Sequence, residues 1–98
     1  MADTVTEIAF FYAKPGTESA FAEAIRAAAD AYIAVSEGCQ SLAVRQGIET
    51  PTTFVVTVEW ESLDAHQAFR DSDRLAKWRG AITDMFERPP FVEHYTLI

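Results

Sequence analysis

The clearest candidate for acid–base chemistry in this chain is His66, which lies within the stretch VEWESLDAHQAF. Histidine titrates near neutral pH, so His66 could remove a proton from a bound molecule. Arg45 could hold a developing oxyanion, and Tyr12 could donate a hydrogen bond to a substrate oxygen. These three side chains are therefore the candidate catalytic residues, with His66 as the base.

Each of these residues also has an ordinary structural interpretation. His66 falls at the boundary between the apolar and polar faces of a predicted helix, where a half-exposed ring bonds to water or to a carboxylate. Arg45 could instead pair with Glu59 across two strands, and Tyr12 could be a buried tyrosine whose hydroxyl bonds to the backbone. His94, in the last predicted strand, could face a pocket or a dimer interface, and a structural or interface role is expected rather than a catalytic one. The sequence alone leaves both interpretations open for each residue.

Several aromatic residues could line an apolar pocket beside these candidates, and an arginine next to one of them could guard its entrance. Aromatic residues at helical spacing are also the usual material of a hydrophobic core, so packing is the alternative for each of them. The predicted pocket residues are Phe11, Phe54, Trp60, Phe69, Trp78, Arg79 and Phe86.

Hydrophobic periodicity predicts two helical regions and four strands to position these side chains. Thr17 and Ser62 are suited to cap the two helices, and Gly38 to end the first one. The segment DSD at 71–73 interrupts the second helical region, and the prolines at 89–90 stop it. The predicted strands span residues 4–13, 39–48, 52–60 and 91–98.

The resulting order, β-α-β-β-α-β, predicts an α+β fold of the ferredoxin-like type, with a four-stranded antiparallel sheet and both helices on one face. Phe10 and Phe11 are adjacent in the first strand, and residues 54–56 are apolar in the third. Both faces of the sheet are therefore apolar, although helices cover only one of them. We expect a second copy of the chain to cover the other face, which predicts a homodimer of a single domain spanning residues 1–98.

The composition limits the classes of partner. The chain has 98 residues and a formal net charge of −7, which argues against binding nucleic acid or an anionic membrane through a basic patch. Its single cysteine, Cys39, excludes an intrachain disulfide, and no Cys/His spacing is typical of a zinc site. No apolar run approaches the ~20 residues of a membrane helix, and the start MADTVTEIAF is not that of a signal peptide. We expect a cytoplasmic protein without a metal site.

With these elements assigned, the chain resembles the antibiotic biosynthesis monooxygenase family over nearly its whole length. The resemblance rests on a strand ending in KPG before a long helix, on EG followed by a strand, and on VEWESLDA opening the second helix. The most specific piece is W-x-S-x-x-A, here Trp60, Ser62 and Ala65. The later SDRLAKW is similar to the family's Ser-Pro-His-aromatic helix, with Asp73 and Arg74 in place of Pro and His. The resemblance implies a dimeric α/β barrel whose subunits each hold a pocket between sheet and helices.

Some positions depart from what particular members of that family carry. Haem-degrading members have an asparagine, a tryptophan and a histidine at the places of Ala9, Phe69 and Arg79, so haem degradation is not expected. Quinol-oxidising members often have a histidine at the place of Phe69, whereas the histidine of this chain, His66, lies one turn earlier. The resemblance therefore does not by itself transfer a catalytic role to His66.

The resemblance implies a cofactor-independent monooxygenase that oxidises a small phenolic, quinol or polyketide-like substrate with O₂, without metal, flavin or haem. In such chemistry the deprotonated substrate reduces O₂ itself. The protein must then supply an apolar pocket, a base and a group that orients the substrate oxygen. Two alternatives stay open: an isomerase or lyase that uses only the proton transfer, and a non-catalytic, small-molecule-binding or stress-related dimer. The apolar residues at Ala9 and Phe69 count in favour of the non-catalytic alternative.

Overall fold

A computed structural model describes residues 4–98, and its elements follow the predicted order. The second predicted helical region is two helices, because the chain turns at Asp71 and Ser72 between them. A π-helical segment, Ala29–Ile33, continues the first helix, and a 3₁₀ turn, Thr83–Met85, precedes the last strand. The strands are β1 (Val5–Ala13), β2 (Cys39–Gln46), β3 (Thr53–Trp60) and β4 (Phe86–Tyr95), and the helices are α1 (Glu18–Ala28), α2 (Leu63–Arg70) and α3 (Asp73–Ile82).

The four strands form one antiparallel sheet in the order β2-β3-β1-β4. This order confirms the ferredoxin-like prediction. It also makes β1 a central strand, in which Glu7 lies opposite Val58 of β3 and His94 of β4. Within residues 4–98, no helix is both long and apolar enough to cross a membrane.

The last strand begins earlier than the sequence pattern predicts, at Phe86 rather than residue 91. The prediction that Pro89 and Pro90 stop the helical region is wrong, because α3 ends at Ile82 and the 3₁₀ turn at Met85. Both prolines lie inside the strand instead. This is possible because β4 is an edge strand that pairs with β1 alone, and the pairing shifts register opposite Phe10 and Tyr12. Prolines are tolerated at edges and bulges of sheets, where no partner strand needs their missing N–H group.

One face of the sheet is buried beneath the helices because the strands alternate strictly. In β1, Glu7 and every second residue to Ala13 are buried, and in β3 every second residue from Phe54 to Trp60 is buried. Phe21, Ile25 and Ile33 of the first helical segment pack onto this face and are almost fully buried themselves. The hydrophobic core thus lies between the sheet and the helices.

The opposite side of the sheet, which we call the open face, has no helix on it. Its apolar side chains are partly exposed, and the ring centroids of Phe10 and Phe91 lie 6.5 Å apart there. Phe91 keeps 52% of its surface exposed. The open face is formed by Ile8, Phe10, Tyr12, Val55 and Phe91.

The start of α2 is fixed by a side-chain cap. Ser62 Oγ accepts a hydrogen bond from the backbone N–H of Ala65 at 3.1 Å, as predicted. Thr17 holds the N-cap position of α1 as predicted, but it makes no side-chain cap bond, since its hydroxyl donates to the carbonyl of Lys14 at 2.6 Å. Gly38, in the turn before β2, has a φ of 86°, and its carbonyl accepts from Glu61 N–H at 2.8 Å. Gly38 does not end the first helical segment as predicted, because that segment ends at Ile33, and it instead supports the connection that leads into α2.

We predict that Gly38→Ala destabilises the protein much more than Gly16→Ala. Both glycines have a positive φ, but a methyl group on Gly38 would lie 2.5 Å from the Ala65 Cβ, whereas nothing lies within 4 Å at Gly16. The expected loss in unfolding free energy is about 1 kcal/mol for Gly16→Ala. For Gly38→Ala it is about 2–4 kcal/mol, because the clash with α2 adds to the backbone strain. Urea denaturation of both variants measures the difference, and equal losses would contradict the prediction.

Candidate active site

A cavity of about 750 Å³ lies between the helix-covered face of the sheet, helices α2 and α3, and strand β4. This volume is within the usual range for small-molecule sites. Its walls are mostly apolar, and its polar groups come from β1, α2, α3 and β4. The apolar wall includes Phe11, Phe69, Leu75, Trp78, Phe86 and Val92.

Aromatic contacts fix the shape of this wall. The Phe11 ring contacts Trp78 edge-on at a centroid distance of 5.8 Å and Phe86 at 5.6 Å. Such contacts add roughly 0.5–1.5 kcal/mol each beyond the burial of their area. Trp78 and Phe86 thus pack to the side of the cavity and leave it open, so the space can receive a ligand.

A carboxylate is buried at the inner end of the cavity. Glu7 retains only 8% exposure, and its Oε1 accepts a hydrogen bond from the Trp60 indole Nε1–H at 2.8 Å. Burial raises the pKa of Glu7, while the Trp60 hydrogen bond and the positive charge of Arg70 act in the opposite direction. The same oxygen lies 3.4 Å from His66 Nε2. Glu7 is therefore a buried group that can hold a proton more readily than an ordinary glutamate.

His66 lies on top of the Trp60 indole and is itself buried, with 5% exposure. The two rings are stacked, with centroids 5.0 Å apart and planes inclined by 15°. Burial lowers the pKa of His66 to about 4, and the charges of His94 and Arg70 contribute in the same direction. The ring is uncharged at neutral pH, so its contact with Glu7 is a polar contact of a neutral imidazole and not a full ion pair.

A second histidine completes this group. His94 Nε2 lies 2.6 Å from His66 Nδ1, within hydrogen-bonding distance. Burial and the charge of Arg70 lower the pKa of His94 as well. Both rings are neutral at pH 7, so one must donate the shared proton and the other accept it. We call Glu7, His66 and His94 together the carboxylate–histidine chain.

The contact of His66 with an ionised Glu7 determines the tautomers of both histidines. An ionised carboxylate only accepts, so His66 Nε2 carries the proton that faces it. His66 Nδ1 is then the acceptor, and His94 Nε2–H is the donor. This arrangement leaves His94 Nδ1 without a proton, and both histidines are among the residues that line the cavity. His94 is therefore the outermost base of the carboxylate–histidine chain.

The sheet separates the other two predicted catalytic residues from His66. Tyr12 belongs to the open face, where the Arg88 guanidinium lies 3.8 Å from the centroid of its ring. Arg45 is exposed in β2 and its Nη1 donates to Thr57 Oγ1 at 3.4 Å, on the open-face side of β3. The three predicted residues thus do not form one site within the subunit, because alternation places Tyr12 and Arg45 on the side away from the helices.

The alternative pairing of Arg45 with Glu59 is also absent among residues 4–98. Both carboxylate oxygens of Glu59 lie close to the Thr6 hydroxyl, at 2.7 and 2.6 Å. In the register of β2 and β3, Arg45 lies opposite Val55, and Glu59 lies opposite Ser41. The two charged side chains are therefore too far apart along the strands to pair.

Most of the predicted pocket residues line the cavity, but two belong to the core. Phe54 packs against Phe21 at a ring distance of 4.8 Å, and Trp60 is fully buried beneath His66. Trp60 does not line the cavity, but it positions two residues of the site through its hydrogen bond to Glu7 and its stacking contact with His66. The predicted residues that do line the cavity are Phe11, Phe69, Trp78, Arg79 and Phe86.

The sequence interpretation missed Glu7, although a signal for it exists. Glu7 has the same parity as Ala9 and Phe11, so it is a carboxylate on the buried face of a strand. Charged residues are rarely buried without a partner, and this position therefore calls for one. The role of His94 was not readable in this way, because it depends on the register that places His94 opposite Glu7.

Other reactive groups add little to this site. Among residues 4–98, no three histidine, cysteine or carboxylate side chains are arranged to hold a metal ion. Cys39 is a free thiol beside the end of β3, and burial together with the charge of Glu7 raises its pKa. A raised pKa keeps the group as the thiol, which is a weak nucleophile.

Comparison with known proteins places this chain in a family. Residues 4–81 match the profile of the family described as antibiotic biosynthesis monooxygenase. The chain belongs to this family. The matched range includes Glu7, Trp60 and His66, whereas His94 lies beyond it.

The chain is also similar to individual members and neighbours of the family. It is 30% identical over 92 residues to YczJ, an uncharacterized protein of Bacillus subtilis, with 93% of this chain and 96% of YczJ covered. A crystal structure of a candidate antibiotic biosynthesis monooxygenase from Bordetella bronchiseptica matches with a TM-score of 0.87 and 30% identity, covering 98% of each chain. A mutant of SnoaB from Streptomyces nogalater, described as a cofactor-independent oxygenase, matches with a TM-score of 0.84. At 18% identity over 98% of this chain and 94% of that chain, SnoaB shows the same fold.

We predict that His66 makes the protein more stable as the pH rises from about 4 to 6.5. The folded histidine has a pKa of about 4 and the unfolded one about 6.5, so in this window the unfolded state binds the extra proton. The expected gain is at most about 3 kcal/mol in unfolding free energy. Glu7 acts in the opposite direction, since its pKa is raised and its contribution falls as the pH rises.

The effect of His66 is best measured in a Glu7→Gln background, which removes the opposing titration. Burial, His94 and Arg70 lower the pKa of His66, and all three remain in that variant. Urea denaturation from pH 4 to 7 should show a rising unfolding free energy for Glu7→Gln and a flatter profile for Glu7→Gln/His66→Gln. Identical profiles for the two variants would show that His66 does not titrate as described.

Proposed function

We propose that this protein is a cofactor-independent monooxygenase that oxidises a small phenolic, quinol or polyketide-like molecule with O₂. The observation that carries the proposal is the carboxylate–histidine chain, which runs from a buried carboxylate to an apolar cavity. It supplies a base next to a mostly apolar cavity, and oxygenation without a cofactor needs both a base and an apolar pocket. Membership of the antibiotic biosynthesis monooxygenase family supports the same reaction class.

The first step is removal of a proton from the substrate. His94 Nδ1 takes the proton, and the Nε2 proton of His94 moves to His66 Nδ1. The Nε2 proton of His66 then moves to Glu7, whose raised pKa favours its protonated form. The net result is a substrate anion in the cavity and a neutral carboxylic acid behind two neutral histidines. No positive charge stays on either imidazole, which fits the lowered pKa values of both.

The second step is the reaction of the substrate anion with O₂. For a substrate with an activated methylene carbon, the anion gives an electron pair to O₂ and a C–O bond forms, which yields a peroxide anion. The proton held at Glu7 returns along the same route and converts the peroxide into a hydroperoxide. Loss of the second C–H proton with cleavage of the O–O bond releases water and leaves a carbonyl group. The methylene carbon is oxidised and O₂ is reduced, so the substrate is the only reductant.

The apolar wall favours a flat, aromatic substrate. Phe11, Phe69 and Trp78 offer ring surfaces on which such a molecule can pack, and they exclude water from the substrate anion. A cavity of about 750 Å³ has room for a molecule of two or three fused rings. SnoaB, which has the same fold at 18% identity, is described as a cofactor-independent oxygenase, and this supports the proposal.

A second candidate function is an isomerase or lyase that uses only the first step. The carboxylate–histidine chain supports this candidate as much as it supports oxygenation. Moving a proton between two carbons needs the same base, and it needs Glu7 to hold the proton in the same way. The two candidates differ in their need for O₂. The non-catalytic alternative has less support, because Trp78 and Phe86 leave the cavity open instead of filling it.

The proposal includes a homodimer that meets through the open face. Phe10 and Phe91 form an apolar patch there, with Phe91 more than half exposed. Burying such a patch against a second copy removes apolar area from water, which stabilises association. The proposal also keeps the cytoplasm as the location, where the free thiol of Cys39 would stay reduced.

We predict that His94→Gln and His66→Gln each lower kcat/KM for an oxidisable substrate on the order of 10²–10⁴-fold, because each interrupts the proton transfer. The probes are an anthrone, a naphthoquinol and a naphthol, and the measurement is O₂ uptake in the presence of a chelator. Gln67→Ala is the control, since Gln67 is exposed on the same helix and donates to Asp71. The control should keep full activity.

The same assay separates the candidate functions. Conversion of a probe under strict anaerobic conditions would instead assign the proton-transfer reaction, because that reaction needs no O₂. Consumption of none of the three probes, or full activity in both histidine variants, would overturn the mechanism proposed above.

We predict that Phe91→Asp shifts the protein from dimer to monomer, because it puts a charge into the proposed interface. Ile48→Asp is the matched control, since Ile48 is 90% exposed in the turn between β2 and β3. Sedimentation velocity at several protein concentrations gives the outcome. A wild-type protein that stays monomeric at high concentration would exclude the dimer.

A further inference from the structure

The arginines of this chain fall into two groups. The sequence has six of them, and four contact other side chains within residues 4–98. Arg26 pairs with Asp30 at 3.3 Å, Arg45 bonds to Thr57, Arg74 donates to Ser36 Oγ at 3.0 Å, and Arg88 lies over Tyr12. The remaining two, Arg70 and Arg79, form no ion pair and no side-chain hydrogen bond with the described residues.

Both of these unpaired arginines line the cavity. Arg70 ends α2, and Arg79 lies next to Trp78 in α3, so the two come from different helices. Two carboxylates close to Arg70 accept hydrogen bonds from other groups. Asp71, its neighbour in the chain, accepts from Gln67 Nε2 at 2.9 Å, and Glu7, whose pKa the Arg70 charge lowers, accepts from Trp60. Arg88 also lines the cavity, but its guanidinium lies over the Tyr12 ring. Arg70 and Arg79 therefore add two further positive charges at one cavity of a chain whose net charge is −7.

Such an arrangement is suited to an anion. A guanidinium group offers parallel N–H donors that match the two oxygens of a carboxylate, and such charge-assisted hydrogen bonds are among the strong ones in proteins. Both arginines are exposed, so solvent screens part of this attraction. The rest of the wall is aromatic and aliphatic, so the anionic group must be attached to an apolar body.

We propose that the cavity binds an aromatic carboxylic acid, whose carboxylate pairs with Arg70, with Arg79 as the second cation at the same cavity. This inference rests on the proposed function and specifies its substrate class. Arg70 lies four residues after His66 on α2, and residues at this spacing share one face of a helix. A hydroxyl group next to the carboxylate on the ring could then lie near His94 while the carboxylate is held by Arg70. The substrate class is therefore an ortho-hydroxy aromatic acid.

The test compares two probes of the same shape: an ortho-hydroxynaphthoate and its neutral carboxamide. Binding is measured by calorimetry under anaerobic conditions, with quenching of tryptophan emission as a second readout, since Trp78 lines the cavity. We expect the acid to bind more tightly than the amide. We expect Arg70→Gln to weaken binding of the acid by roughly ten- to hundredfold, with little change for the amide. Arg79→Gln should weaken binding of the acid less.

Arg26→Gln is the matched control, because Arg26 is exposed on α1 and pairs with Asp30. It should leave both affinities unchanged. The affinity of each variant for the amide reports whether the cavity is intact, so a folding defect is not mistaken for loss of the ion pair. Equal binding of acid and amide to the wild type, or equal effects of Arg70→Gln and Arg26→Gln, would overturn the proposal.

The outcome is separable from that of the monooxygenase proposal. Binding of the acid that depends on Arg70, without any O₂ uptake, would support an aromatic acid as ligand and contradict oxygenation. O₂ uptake with neutral probes, together with binding that is indifferent to the carboxylate, would support oxygenation and contradict the acid.

Discussion

The need to stabilise a buried carboxylate governs the organisation of this site. Glu7 lies on the helix-covered face of the sheet, where a charged group without partners would be strongly unfavourable. The Trp60 indole N–H supplies one hydrogen bond, and the position of Trp60 in turn fixes the plane on which His66 stacks. His66 then orients His94 through a hydrogen bond. Four elements of the fold (β1, β3, α2 and β4) are thus arranged around one carboxyl group.

The environment of the two histidines suits them for accepting protons without staying charged. A histidine with a lowered pKa is a weaker base than usual, and on its own it would remove a substrate proton poorly. The raised pKa of Glu7 compensates for this weakness, because the proton can move on to a group that holds it more tightly. The same burial that weakens the histidines therefore strengthens the carboxyl group behind them. The three groups act better as a unit than any one of them could act alone.

Much of the fold was predictable from the sequence, because local signals determine it. Ser62 caps α2 as expected, and the alternation of β1 and β3 is visible in the pattern of their residues. The site was less predictable. Both parities of β1 are apolar near Phe10 and Phe11, so the sequence did not reveal that Tyr12 belongs to the open face. Only the register between β1 and β4, which depends on the bulge near Pro89, shows that His94 meets His66.

Strand β1 contributes side chains to both faces of the sheet, so its pairing register decides which side chains enter the core when the chain folds. Side chains of a strand alternate between faces, so a slip of β1 by one residue would turn Glu7 out of the core and bring Phe10 and Tyr12 into it. The indole N–H of Trp60 would then lose its acceptor, and that unsatisfied donor would disfavour the slipped pairing even though its apolar burial is nearly as good. The buried carboxylate therefore selects one register out of two that hydrophobicity alone distinguishes poorly, and in this sense the polar site also specifies the fold.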